Sequence, residues 1–156
     1  MMETAFEIAT ALSRRSTCDR RAIGAVVMTK SGRILSTGYN GAPPGAPHCD
    51  DVGHLLIKGR CMRTVHAEAN AVAHAARHGT SLDNGVLACL VRPCPACTNL
   101  LISCGVREFN YVSAYHDTED SAADELCIAG GVKVFRWSTH DGIWTRFPLE
   151  LNGKPM

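Results

Sequence analysis

The stretch HAEANAVAHAARHGTSLDNGVLACLVRPCPACTNLLISC, residues 66–104, decides the fold. Its first part, His66 to His78, is rich in alanine and closes on Gly79, which predicts a helix with a glycine stop. Gly85 to Val91 is nearly all apolar, as expected of a strand covered on both faces. Pro95 to Cys104 opens on a proline and ends before Gly105, which predicts a second helix. Helix, strand, helix is therefore the central unit. Downstream, Val106 to Ser113 reads as a strand, Asp120 to Ala129 as a helix and Val132 to Trp137 as a strand. Upstream, Glu3 to Ser13 places Phe6, Ala9 and Leu12 on one helical stripe, and Ala22–Thr29 and Arg33–Tyr39 flank Lys-Ser-Gly as a hairpin. The Gly/Pro-rich loop GYNGAPPGAPHCDDVG follows; the region from there to Arg63 lacks periodicity, and the tail beyond Ser138 reads as irregular. Alternating helices and strands imply an α/β sandwich with parallel strands in its later part.

The 156 residues fit one domain, 1–156, with 46% apolar and 20% charged residues, as in ordinary soluble globular proteins. Sixteen Lys and Arg against fifteen Asp and Glu leave a formal charge of +1, without the strongly basic balance of a protein built to grip a nucleic-acid polymer. The cluster Arg14, Arg15, Arg20 and Arg21 is the exception; a solvated surface is its bland reading. The N-terminus carries acidic residues early and no stretch approaches the ~20 apolar residues of a membrane span, so a cytoplasmic, membrane-free protein is expected. In a reducing compartment the eight cysteines need a reason other than disulfides: clustered ones point to metal, scattered ones to small core residues.

Two segments carry chemistry, His66-Ala67-Glu68 and Pro93-Cys94-Pro95-Ala96-Cys97. Cys94 and Cys97, three apart on a first helical turn, face the same way and can hold one zinc ion. His66 supplies a third ligand, which leaves a fourth position for water. Glu68, two residues on, diverges from His66 on a helix and so fits a proton shuttle to that water rather than a ligand. The two helix N-termini favour thiolate at Cys94. A lone Cys-x-x-Cys is also compatible with structural zinc or a redox pair; the combination with His-Ala-Glu opening the preceding helix favours hydrolytic deamination of a nucleobase.

At these residues the chain resembles the zinc-dependent cytidine and deoxycytidylate deaminase superfamily. The segment Ser13–Val27 (SRRSTCDRRAIGAVV), the loop Gly38–Gly45 (GYNGAPPG), the set His66, Glu68, Cys94 and Cys97, and Tyr115-His116-Asp117 carry the resemblance, which is stronger to the deoxycytidylate branch. It implies a three-layer α/β/α sandwich around a mixed sheet of about five strands. It also implies deamination of dCMP to dUMP, a homohexamer, activation by dCTP and inhibition by dTTP. Gly38, Tyr39, Asn40 and Gly41 become candidates for substrate or effector binding, although Asn-Gly is also a plain turn. Ala67 joins them; so do Arg15, Ser16 and Thr17 as phosphate donors ahead of the first strand, and Tyr115 and His116 at a strand end where open sheets bind ligands. Some relatives hold a structural zinc, for which Cys18, His48, Cys49 and Cys61 are the candidates here. Cys89, Cys104 and Cys127 read as small buried side chains. The alternatives are another deaminase of the superfamily, acting on dCTP, cytidine, guanine or tRNA adenosine, or a non-catalytic zinc-stabilised interaction module.

Overall fold

The structure is a computed structural model that describes residues 1–114, 117–151 and 154–155, with backbone alone at 117–119, 150–151 and 154–155. Helix α1 (Met2–Ser13) leads into the hairpin β1 (Gly24–Met28) and β2 (Ile34–Tyr39). The following loop holds a single-turn helix α2 (Cys49–Val52) and a small hairpin, β3 (Leu56–Ile57) and β4 (Arg60–Cys61). Then come α3 (Ala67–Arg77), β5 (Val86–Val91), α4 (Pro95–Ser103), β6 (Glu108–Ser113), α5 (Asp117–Ala129), β7 (Lys133–His140) and β8 (Ile143–Pro148). Two short strands, β9 (Glu150–Leu151) and β10 (Lys154–Pro155), pair with each other.

The main sheet runs β2-β1-β5-β6-β7-β8. Strands β5, β6 and β7 are parallel, as the helix–strand alternation requires, and the remaining pairs are antiparallel. Strand residues alternate between two cores because side chains alternate across a pleat. Ala25, Val27, Leu87 and Cys89 pack with Ala67, Ala71 and Ala75 of α3, Leu101 of α4 and Cys127 of α5. Met28, Val86 and Ala88 pack on the other face with Met2, Ala5 and Phe6 of α1. With both faces of β5 covered, its VLACLV run needs no polar side.

The sheet has six strands where about five were expected, because the tail read as irregular supplies β8. Asp141 and Gly142 form its two-residue tip with φ of 49° and 77°, the conformation that favours Asp-Gly in hairpins. The largely exposed β8 lacks the apolar alternation that would have marked it as a strand. It contributes Trp144, stacked on Phe6 at 5.2 Å, while Trp137 of β7 meets the same ring edge-on at 5.9 Å. These aromatic contacts close the α1 layer.

The α3 helix can sit close to β2 because Gly38 has no side chain there. It buries Ala67, Glu68, Ala71, Val72 and Ala75 along one stripe. Pro95 starts α4, and Gly105, at φ 88°, follows its C-cap. Both helices thus begin at the same edge of the sheet, beside the C-terminal end of β5.

Candidate active site

His66 is the N-cap of α3 and Cys94 the N-cap of α4, each with extended backbone before the first helical turn. This arrangement brings His66, Cys94 and Cys97 together, with all three ligand atoms within 4.8 Å of one another. The His66 Nδ1 lies 3.6 Å from the Cys94 Sγ and 3.5 Å from the Cys97 Sγ. A tetrahedral zinc with sulfur at about 2.3 Å and nitrogen at about 2.0–2.1 Å sets its ligands about 3.6 Å apart. The three side chains therefore fit zinc and leave a fourth position for a small molecule.

The electrostatics agree with that donor set. The Cys97 thiol, donating to Cys94, draws the Cys94 thiol down to about 4 against the opposing effect of burial, and His66 assists. The same pairing, with burial, holds Cys97 well above the ordinary thiol range, so the metal-free pair carries one proton. Hydrogen bonding to Cys94 raises His66. Glu68 is 4% exposed, and burial pushes its carboxyl up to about 7. A carboxyl poised there can both take and return a proton near neutral pH.

Glu68 and His66 line a cavity of about 490 Å³ with Thr64, Asn40, Ile23, Val91 and Arg92. The Arg92 guanidinium is 5% exposed, hydrogen-bonds to Asp124, lies 4.0 Å from Asp120 and sits over the Tyr111 ring. Sequence reasoning missed it, although an arginine ending an apolar strand run directly before Pro-Cys is the kind of cation that burial must pair.

The residues expected to bind nucleotide are spread out. Asn40 lines the cavity, yet its side-chain Oδ1 accepts from the Ile23 amide at 2.8 Å and its Nδ2 donates to the Arg21 carbonyl at 2.7 Å. It staples two strand entrances. Gly38 faces α3: a Cβ there would lie 2.2 Å from the Ala67 carbonyl oxygen. Tyr39 sits under the Arg15 guanidinium at 5.6 Å and accepts, through its carbonyl, a hydrogen bond from Asn70. Gly41 forms a bridge with Val65, and Ala67 is wholly buried. The Ser16 hydroxyl lies 3.2 Å from the Cys18 and Arg21 carbonyls, and the Thr17 hydroxyl 2.8 Å from His48. Of this set only Asn40 is among the cavity's lining residues. Tyr115 and His116 lie outside the described residues.

A second cluster joins Cys18, Cys49 and Cys61 with His54, not His48. His48 is the N-cap of α2 and Cys49 its first residue, so neighbouring side chains diverge, and His48 instead meets Thr17. Cys49 and Cys61 sulfurs are 3.5 Å apart, and the His54 Nδ1 is 3.8 Å from the Cys18 sulfur. The other His54 nitrogen, Nε2, is 3.0 Å from the Asp19 carboxylate, the orienting contact usual for a metal-ligating histidine. Three sulfurs and one nitrogen suit a closed, structural zinc. Cys89 and Cys127 are buried among apolar side chains and Cys104 half-buried.

A family model described as the cytidine and deoxycytidylate deaminase zinc-binding region matches residues 1–113. ComE operon protein 2 of Bacillus subtilis (strain 168) is 35% identical over 123 residues, 79% of this chain, which spans 64% of that protein's length. Deoxycytidylate deaminase of Mycobacterium phage D29 is 40% identical over 116 residues, covering 67% of this chain and 88% of the phage protein. The crystal structure of dCMP deaminase from cyanophage S-TIM5 in complex with dCMP and dUMP matches with TM-score 0.73 and 31% identity, over 86% of this chain and 94% of that one.

Proposed function

The chain belongs to the zinc-dependent cytidine and deoxycytidylate deaminases, and from that premise we propose that it hydrolyses dCMP to dUMP and ammonia. The observation that carries the reading is a buried carboxyl, Glu68, next to three zinc-type ligands that leave one position open. His66, Cys94 and Cys97 would hold the ion. Zinc, when bound, supplies the Lewis acidity that makes water nucleophilic near neutral pH. Glu68 takes the proton from that water and delivers it to N3 of the cytosine, which makes C4 electrophilic. Once the oxygen has added at C4, Glu68 would take the proton of the new C4 hydroxyl and pass it to the amine, so that the C4–N bond breaks, ammonia leaves and C4 becomes a carbonyl. Burial keeps this carboxyl at about 7, so each transfer is near balance. At 4% exposure the Glu68 carboxyl is itself shielded from bulk water.

A second, structural zinc on Cys18, Cys49, His54 and Cys61 forms part of the proposal, supported by the ligand spacing and by Asp19 behind His54. So do activation by dCTP, inhibition by dTTP and assembly as a homohexamer, which extend the deoxycytidylate resemblance. Substrate and effector binding by Gly38, Tyr39, Asn40 and Gly41 likewise extends the resemblance; of the four, Asn40 lines the cavity, with its side-chain amide engaged internally. Among the described residues no helix is long and apolar enough to cross a membrane, and a single-domain cytoplasmic enzyme is the reading adopted.

The test is ammonia release from dCMP, dCTP, deoxycytidine and guanine, with zinc content measured alongside. Release from dCMP, lost in Glu68→Gln without loss of zinc, is expected. Deamination of guanine with none of dCMP would move the chain to another branch of the superfamily, and full activity of Glu68→Gln would remove the proton shuttle.

A further inference from the structure

We propose that Cys49 and Cys61 form a modification site: a hydroperoxide oxidises the pair to a disulfide, which breaks up the second ligand cluster and loosens two loops that line the cavity. The inference rests on the structural zinc proposed above and concerns how that site is lost. The two sulfurs are 3.5 Å apart, and a disulfide needs them to close to about 2.05 Å. The Thr64 hydroxyl stands within hydrogen-bonding distance of both, 3.3 Å from the Cys49 sulfur and 3.7 Å from that of Cys61.

Exposure picks the sulfur that reacts first. Cys18 and Cys49 are 5% and 7% exposed, and Cys94 and Cys97 are 4% and 5% exposed. Cys61 is only half-buried and lines the cavity. A thiolate that solvent reaches, with a second thiol poised against it, is the arrangement that peroxides oxidise. The Cys61 sulfur attacks the O–O bond and takes one oxygen as a sulfenic acid, while the other leaves as hydroxide. The Cys49 thiolate then attacks the Cys61 sulfur, the S–S bond forms and the sulfenic oxygen leaves as a second hydroxide. Both hydroxides take protons from solvent. Two thiolates, one hydrogen peroxide and two protons thus give one disulfide and two waters, and the two electrons lost by sulfur reduce the peroxide.

The bond changes what the cluster holds together. Of its four ligands only Cys18 and His54 remain, too few for a closed zinc site. Cys61 on β4 stays tied to α2 through Cys49, but the segment around Cys18 no longer shares an ion with the β3–β4 hairpin. Both contribute to the cavity lining, Cys18 and Arg20 from the one and Lys58, Gly59 and Arg60 from the other. The hairpin has little apolar packing to keep it in place, since Leu55, Leu56, Ile57 and Met62 are each half or more exposed. Contacts that survive include the Arg20 Nη1 donating to the Gly59 carbonyl at 2.8 Å and the Asp19 carboxylate 3.0 Å from His54. Solvent-exposed contacts of this kind are weak.

The test oxidises the zinc-loaded wild-type chain with hydrogen peroxide. Remaining thiols are alkylated in denaturant and mapped by mass spectrometry, released zinc is read with a colorimetric chelator, and the hairpin is probed with trypsin. The expected result is a Cys49–Cys61 disulfide with release of one zinc ion per chain, while Cys94 and Cys97 stay reduced and keep theirs. Cleavage after the exposed Lys58 and Arg60 should speed up about fivefold or more. A dithiol with added zinc should reverse both effects. Oxidation falling first on Cys94 and Cys97, a bond from Cys18, or zinc loss with Cys61 still a thiol would overturn the assignment. So would a disulfide that leaves the tryptic rate unchanged. A chain that carries one zinc beforehand and still forms the bond supports the dithiol and removes the structural zinc instead. Every readout is taken on the wild type, so no ligand-deleted variant has to fold.

Discussion

Replacing Gly38 by alanine sets a methyl carbon 2.2 Å from the Ala67 carbonyl oxygen and 2.5 Å from the Ala71 amide nitrogen. Both contacts are backbone, so no rotamer change relieves them. Restoring even the 3.0 Å limit below which real Cβ contacts essentially never occur requires β2 and α3 to part by about 0.8 Å. Overpacking of this kind costs about 1–3 kcal/mol of stability. The same shift moves the first turn of α3, where His66 and Glu68 flank Ala67. A misplacement near 1 Å at a reacting centre costs about a hundredfold in rate. Urea unfolding of the variant, with kcat/KM for ammonia release and zinc content on the same sample, checks both numbers. If Gly38 instead serves only close approach of a nucleotide, the variant keeps its stability and kcat while KM rises. Stability within about 0.5 kcal/mol of wild type would refute the packing argument.

Removing the proton shuttle has a signature apart from activity. The metal-free folded state binds the Glu68 proton more tightly than the unfolded chain, at about 7 against the ordinary 4.5, so its stability falls as pH rises from about 4.5 through 7. Metal-free Glu68→Gln loses that slope and should exceed wild type by up to about 3 kcal/mol at pH 8 and by nothing at pH 4; parallel pH–stability curves would contradict it. Asp124→Asn leaves the buried Arg92 guanidinium with Asp120 at 4.0 Å as its remaining acid among the described residues, and should cost about 3 kcal/mol in urea unfolding; a cost under 1 kcal/mol would mean that solvent reaches the pair. Metal analysis should find two zinc ions per chain, one in His54→Ala and two in His48→Ala; the reverse pattern would restore His48 to the ligand set.

The helix–strand–helix unit was legible in residues 66–104 because its signals are local: an alanine-rich helix, an apolar run, a proline start and glycine stops. His66, Glu68, Cys94 and Cys97 were legible for the same reason, as each pair lies within one helical turn. What the sequence hid depends on contacts across many residues. His54 joins cysteines on either side of a loop that has no periodicity, and Asp19 reaches it from before the first strand. His48 was named with Cys18, Cys49 and Cys61 on the resemblance to relatives that hold a structural zinc, and the cluster instead takes His54. Gly38 and Asn40 were read for what they could offer a ligand, and their packing partners 29 and 19 residues distant could not be seen. The edge strand β8 was missed and its stretch read as irregular, since an exposed edge strand has little apolar pattern to read.

The aromatic closure over α1 bears on how this molecule should be watched. The sequence holds two tryptophans, and both rings rest on Phe6, on the opposite face of the sheet from α3 and α4. Intrinsic emission will therefore track the docking of the N-terminal helix against the terminal hairpin. A titration of ligand followed by that emission can stay flat while the cavity fills, so absence of quenching is no sign of absence of binding. An optical probe of occupancy has to be introduced on the metal-bearing side.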